Sequence, residues 1–279
     1  MSVNYKSNIT VRTLITVILT LLFASACQTT TTVSNHCPSE DMLNWVKGIK
    51  TCFAVETYKP TGSKAAVLVI TLHGDLSGGG KADYTFDIAK IAASEGAIGV
   101  SIMRPGYTGG QKTSSGTPTR NQVRHVRYSA EEADDIGAAV TALKAHHDVS
   151  RVIMFGHSGG AAISGVIAGR SAPLVNGLVL LACPCDVATW RQRNGWEPYV
   201  GAASPHEYVS SLPDGTRIIA LTGSDDNNTG SYLANDYVAR ARAAGIQATF
   251  IEIPGAGHNY RAASMESYIR SAIKNLINM

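Results

Sequence analysis

A strong excess of charge of either sign is missing from this sequence. Its 24 lysines and arginines stand against 21 aspartates and glutamates, a formal net charge of +3. Lys6 and Arg12 lie in an N-terminal segment built like a removable leader; without these two the balance is 22 against 21, or +1. Such a chain carries no electrostatic footprint for nucleic acid. Internal repeats, apolar heptads and low-complexity tracts are also missing, apart from a short Thr/Ser-rich stretch at 28–36. There is no phosphate-cradling P-loop, no dinucleotide fingerprint opening the first βα unit and no paired metal-ligand motif, so neither cofactor nor metal is implied. The N-terminal apolar run, Leu14 to Phe23, is too short for a comfortable membrane span.

That run has the form of a secretory signal, with Lys6 and Arg12 ahead of it and the small residues Ala24, Ser25 and Ala26 behind. Residues 1–26 therefore read as a signal peptide. Cys27 follows directly and resembles the lipobox cysteine of bacterial lipoproteins, although Ala24 stands where that family usually has leucine. The resemblance implies lipidation of Cys27, export, and a lipid anchor in the cell envelope, with Gln28 favouring the outer membrane; ordinary cleavage and a periplasmic or secreted protein is the alternative. Residues 27–51 read as tether and lead-in.

Outside the cytoplasm, Cys37 and Cys52 could staple the start of a domain. Cys183-Pro184-Cys185 reads three ways: a metal-binding pair lacking a second Cys/His cluster nearby, a local disulfide, or two buried thiols.

With 44% apolar and 16% charged residues, the 279-residue chain can bury one sizeable core, expected over residues 52–279. Strand-length apolar runs at 52–58, 65–72, 97–103, 152–155, 175–182, 217–221 and 248–253 alternate with helical patterns at 83–95, 129–146, 159–169, 230–244 and 263–278. Alternation of this kind predicts an α/β fold with a mostly parallel central sheet flanked by helices. Ser129-Ala-Glu-Glu132 reads as a capping box opening the second helix, whose early carboxylates suit the helix dipole. The irregular segments 104–127 and 185–214 are long enough for binding loops or lids.

Chemistry concentrates where the run Val152–Phe155 meets Gly156-His157-Ser158-Gly159-Gly160 and a helix of small residues. So sharp a strand-to-helix turn lifts the hydroxyl of Ser158 above the sheet and sets it at a helix N-terminus. Through this elbow and the order of its partners, the sequence from about residue 52 resembles the α/β-hydrolase superfamily, in its serine esterase and serine aminopeptidase branches. The resemblance implies the α/β-hydrolase fold, with a small insert after strand six at about 185–214.

A serine hydroxyl needs a base, and His258 lies in Gly255-Ala-Gly-His258 after the last strand, where the superfamily keeps its histidine. The third member falls in Gly223-Ser-Asp225-Asp226: the family's three-residue spacing from the glycine selects Asp226, with Asp225 the alternative. His73-Gly74-Asp75 resembles the family's oxyanion loop, which implies that the backbone N–H groups of Asp75 and Gly159 face the developing oxyanion, with His73 orienting the loop. Arg104-Pro-Gly-Tyr107 resembles a loop in which Arg104 or Tyr107 shapes the substrate entrance; alternatively it is simply a turn.

The expected activity is cofactor-free cleavage of a small-molecule carboxylic ester by a serine hydrolase through an acyl-enzyme. A peptidase of the same fold is the nearest rival. A non-catalytic envelope binding protein is the rival from another class.

Overall fold

The computed structural model describes residues 1–2, 37–39, 41–62, 65–122, 127–260 and 263–279. Cys27, the tether to residue 36 and all but the first two residues of the expected signal peptide lie outside the described residues. The chain divides into two units, Met1–Thr32 and Val33–Met279, and every element below belongs to the second.

Short runs rich in Val, Ile and Leu become strands because they are bounded by turn residues and are too brief for buried helices. In chain order these are β1 (Trp45–Lys47), β2 (Cys52–Tyr58), β3 (Val67–Leu72), β4 (Ile98–Ile102), a small ribbon of β5 (Thr108–Gly109) and β6 (Lys112–Thr113), then β7 (Arg151–His157), β8 (Gly177–Leu181), β9 (Arg217–Gly223) and β10 (Gln247–Ile253). All but the ribbon form one sheet in the order β1-β2-β4-β3-β7-β8-β9-β10. β1 and β2 are antiparallel to their neighbours and the rest run parallel. β1, which carries only one fully buried residue, Val46, is the main-sheet strand that hydropathy does not reveal.

The helices are α1 (Tyr84–Ser94), α2 (Ala130–His146), α3 (Gly159–Arg170), α4 (Val187–Arg193), α5 (Ser231–Ala243) and α6 (Ala263–Ile277). Alternate strand residues serve opposite faces, as the two-residue strand period requires. Leu68, Ile70 and Leu72 of β3 share a core with Ile136 and Val140 of α2, Ile163 and Ile167 of α3 and Tyr237 of α5. Val67 and Val69 join Ile153, Phe155, Ile88 of α1 and Ile269 and Ile273 of α6. Each fully buried side chain of this size contributes about 1.5–3 kcal/mol, so both layers are needed to hold the sheet.

The capping box forms only in half. Ser129 Oγ accepts the Glu132 N–H at 3.2 Å, but the Glu132 carboxylate turns away from the cap to a buried arginine described below. The insert is more regular than its sequence suggests. Asp186 caps α4 by accepting the Thr189 N–H at 2.9 Å, and a 3-10 helix, Pro205–Ser211, packs against α3. Disulfides join Cys37 to Cys52 and Cys183 to Cys185. The second bond, at the root of the insert, decides among the three readings of that pair and leaves no thiolate there for a metal.

Strand order places the site. β3 is flanked by β4 on one side and β7 on the other, so the connections leaving their C-terminal ends diverge and open a crevice. His73-Gly74-Asp75 leaves β3 at that crevice and Ser158 leaves β7.

Candidate active site

Ser158 joins β7 to α3 with φ 52° and ψ −121°, a backbone conformation costly for a residue with a side chain. Tight packing enforces it: a Cβ on Gly160 would lie 2.4 Å from the Leu72 carbonyl oxygen of β3, so only glycine lets the elbow seat against the neighbouring strand.

Three side chains from three strand ends converge here. Ser158 Oγ donates to His258 Nε2 at 3.1 Å. His258 Nδ1 donates to the Asp226 carboxylate, at 3.0 Å to Oδ2 and 3.2 Å to Oδ1. Asp226 also accepts the N–H groups of Asn228 and Thr229 at 2.9 and 2.8 Å and the Thr229 hydroxyl at 2.8 Å. Burial raises its pKa, but the bonds from His258, followed by those from Thr229, outweigh this and hold the carboxyl below its ordinary value. Asp225 points away: exposed, it accepts the Ser224 hydroxyl at 3.0 Å.

The loop after β3 is locked from behind. His73 Nδ1 donates to the Gly74 carbonyl at 2.7 Å and its Nε2 accepts the Arg104 N–H at 2.9 Å. The Asp75 carboxylate accepts Arg104 Nη1 at 2.8 Å and the Tyr128 hydroxyl at 2.7 Å, while the Asp75 carbonyl accepts the Tyr107 hydroxyl. The charge of Asp75 is thereby paired behind the loop. A Cβ on Gly159 would lie 2.4 Å from Asp75 Oδ1, so this cluster packs directly against the elbow as well. As the first residue of α3, Gly159 has an N–H outside the helical ladder.

Arg104 and Tyr107 therefore do not shape a substrate entrance. Both are fully buried. Arg104 also binds Glu132 through Nε at 2.9 Å and Thr119 through Nη2 at 2.8 Å. Burial disfavours its charge, but Glu132 and then Asp75 overcome that and raise its pKa. Arg104→Ala is expected to cost about 3–5 kcal/mol in urea unfolding, because two carboxylates lose their cation. Adding Asp75→Asn and Glu132→Gln should recover part of that loss; no recovery would show that the ion pairs are not its cause.

Sequence reasoning missed a second network. The Gly74 N–H donates to the Tyr84 hydroxyl at 2.6 Å, which in turn lies 2.8 Å from His157 Nδ1. His157 Nε2 lies 3.0 Å from the His258 carbonyl. A carbonyl only accepts, so Nε2 carries the proton and Tyr84 donates to Nδ1. The series ties the loop after β3 to the loop bearing His258. Burial, then the neighbouring His258, lowers the His157 pKa to about 4, and burial, then Arg104, lowers that of His73 to about 3. Below pH 6.5 the unfolded chain takes up protons that these folded residues refuse, so stability must fall with pH. The expected loss is about 2 kcal/mol for each histidine by pH 5, measured as the shift in urea midpoint from pH 7.

Above Ser158 opens a cavity of about 890 Å³. One wall is the glycine-rich loop 74–81, a second is Tyr84 and Tyr260, and the third is Trp190, Trp196 and Tyr199 of the insert. Trp190 Nε1 donates to the Asn228 carbonyl at 3.0 Å, coupling the insert to the turn that carries Asp226.

Sheet order, elbow and strand-end site define an α/β-hydrolase fold. No protein-family model matches the sequence, and comparison with curated proteins finds no match. Among solved structures, the chain is similar to Est1E from Butyrivibrio proteoclasticus with ferulic acid bound, at 14% identity and a TM-score of 0.66 over 84% of this chain and 97% of that one. It is also similar to the Thermogutta terrifontis esterase Est2, propionate bound, at 16% identity and 0.60 over 85% and 93%. The acylaminoacyl peptidase of Pyrococcus horikoshii matches at 15% identity and 0.60 over 84% of this chain but 39% of its own. Likeness at these identities establishes the fold, which esterases and a peptidase share.

Proposed function

We propose that the chain is a serine hydrolase that cleaves a carboxylic ester without a cofactor. The observation that carries this reading is the continuous hydrogen-bonded series Ser158–His258–Asp226 at the floor of the cavity. Ser158 Oγ attacks the carbonyl carbon as its proton passes to His258 Nε2. The Asp226 carboxylate keeps the imidazole in the accepting tautomer and stabilises the imidazolium. The oxyanion faces the N–H groups of Asp75 and Gly159. As the tetrahedral species collapses, His258 returns the proton to the departing alkoxide; water, activated by the same nitrogen, then attacks the acyl-enzyme and Ser158 leaves with a proton.

An insert of one short helix and one 3-10 helix, with an aromatic wall, supports a small ester over a peptide chain. The test is a panel of p-nitrophenyl esters from acetate to palmitate beside aminoacyl p-nitroanilides, in wild type and Ser158→Ala. Serine-dependent ester turnover is the expected result. Turnover of anilides alone would transfer the reading to a peptidase, and none of either would favour a binding protein.

We also propose export with lipidation at Cys27. Two disulfides support an oxidising compartment. An acylated peptide beginning at Cys27, detected by mass spectrometry of the native protein, is the expected result; an unmodified N-terminus would leave simple secretion.

A further inference from the structure

The charges around the cavity are one-sided. Arg191 and Lys81 line it, and the single lining carboxylate among the described residues, Asp75, is already held by Arg104 and Tyr128. Lys81 Nζ donates to the Gly110 carbonyl at 2.7 Å. Arg191 donates through Nε to the Glu197 carbonyl at 2.8 Å and through Nη1 to the Tyr199 hydroxyl at 3.3 Å. All these acceptors are neutral. Among the described residues no carboxylate pairs with Arg191, and its Nη2 makes no hydrogen bond.

Arg191 is nevertheless held in place. Its Cζ lies 4.2 Å from the Tyr199 ring centroid and 4.8 Å from that of Trp196, and it sits on α4, whose Trp190 is anchored to Asn228. A guanidinium fixed by stacking, with one nitrogen uncommitted and no counter-charge among the described residues, has little freedom left for an incoming anion to restrict. Arginine also presents the fork that matches a carboxylate.

We infer that Arg191 is a specificity residue that binds an anionic group, a carboxylate, on the ester substrate, so that the preferred substrates are esters with a second, ionised acid group. This deepens the proposed ester hydrolysis and rests on it. The scissile carbonyl sits over Ser158 while the distant carboxylate meets the aromatic and guanidinium wall of the insert.

The experiment pairs charged esters with neutral counterparts: the p-nitrophenyl half-ester of glutaric acid against p-nitrophenyl pentanoate for the acyl side, and 4-acetoxybenzoate against its methyl ester for the alcohol side. In wild type, one charged member should exceed its neutral partner in kcat/KM by about tenfold or more, chiefly through KM, with the preference shrinking as salt is raised. Arg191→Gln should abolish the preference, so that charged and neutral members of each pair turn over alike, and Arg191→Lys should restore part of it. A thermal midpoint for each variant separates lost recognition from a loosened insert. Turnover of neutral esters with no charged preference, or a preference unchanged in Arg191→Gln, would overturn the inference and leave the ester hydrolase standing. Absence of Ser158-dependent turnover of every ester would instead overturn the reading on which it rests.

Discussion

Ser158→Ala is expected to lower kcat for p-nitrophenyl butyrate by about a millionfold. The magnitude follows from the elbow's construction. In the proposed mechanism the hydroxyl is the atom that forms the acyl-enzyme, and among the described residues no other hydroxyl lies on His258 Nε2. On the proposed mechanism nucleophile and base act as one unit, so His258→Ala should cost about as much, and the double variant little more than either. Stability gives an independent reading. At φ 52° and ψ −121° a side chain is strained, so Ser158→Gly should lose the same activity while gaining about 1 kcal/mol in urea unfolding, the relief of strain exceeding the entropy cost of glycine. A destabilised Ser158→Gly would contradict that account of the elbow. Retained turnover in Ser158→Ala would remove the serine from the reaction.

The second large effect separates two adjacent acids. Asp226→Asn is expected to reduce kcat by roughly ten-thousandfold, and Asp225→Asn by less than about twofold. An amide at 226 still accepts one hydrogen bond, yet it cannot supply the negative charge that stabilises the imidazolium, and it offers the wrong group to one of the donors that now converge on the carboxylate. Since the folded Asp226 carboxyl titrates below its ordinary value, its ionised form also stabilises the fold above the unfolded carboxyl pKa, a contribution lost as the pH falls through the lower folded value. Asp225 has no comparable contacts: its carboxylate accepts from Ser224 at the surface. Equal losses in the two variants would sink the assignment of Asp226.

The neutral-pH stability of the region behind the site depends on groups that the sequence shows only as isolated letters. Arg104 follows a buried strand, and a charge in such a place demands partners. The sequence offers many acids and does not say which. Glu132 looks like half of a capping box because its neighbours in the chain supply that reading, whereas the folded chain brings it to Arg104, 28 residues away. His157 occupies a variable position of the elbow motif, and Tyr84 opens an unremarkable helix. Only the meeting of β3 and β7 puts them in one hydrogen-bonded line with Gly74.

What could be read from the sequence alone was whatever depends on neighbours a few residues apart. Among the described residues, hydropathy period set seven of the eight main-sheet strands and the five longest helices. Glycines around Ser158 marked a sharp turn, and the resemblance to the superfamily, which keeps its histidine after the last strand, singled out His258. Contacts between residues remote in sequence were decided only by tertiary structure: the bonds that join Asp226 to His258, the burial of Arg104 and Tyr107 behind the loop rather than at its mouth, and the aromatic wall around Arg191. The reason is physical. Backbone geometry and hydropathy are local and leave a local signature, whereas the pairing of buried charges and the lining of a cavity depend on which strands become neighbours, and that order is settled only when the whole sheet packs.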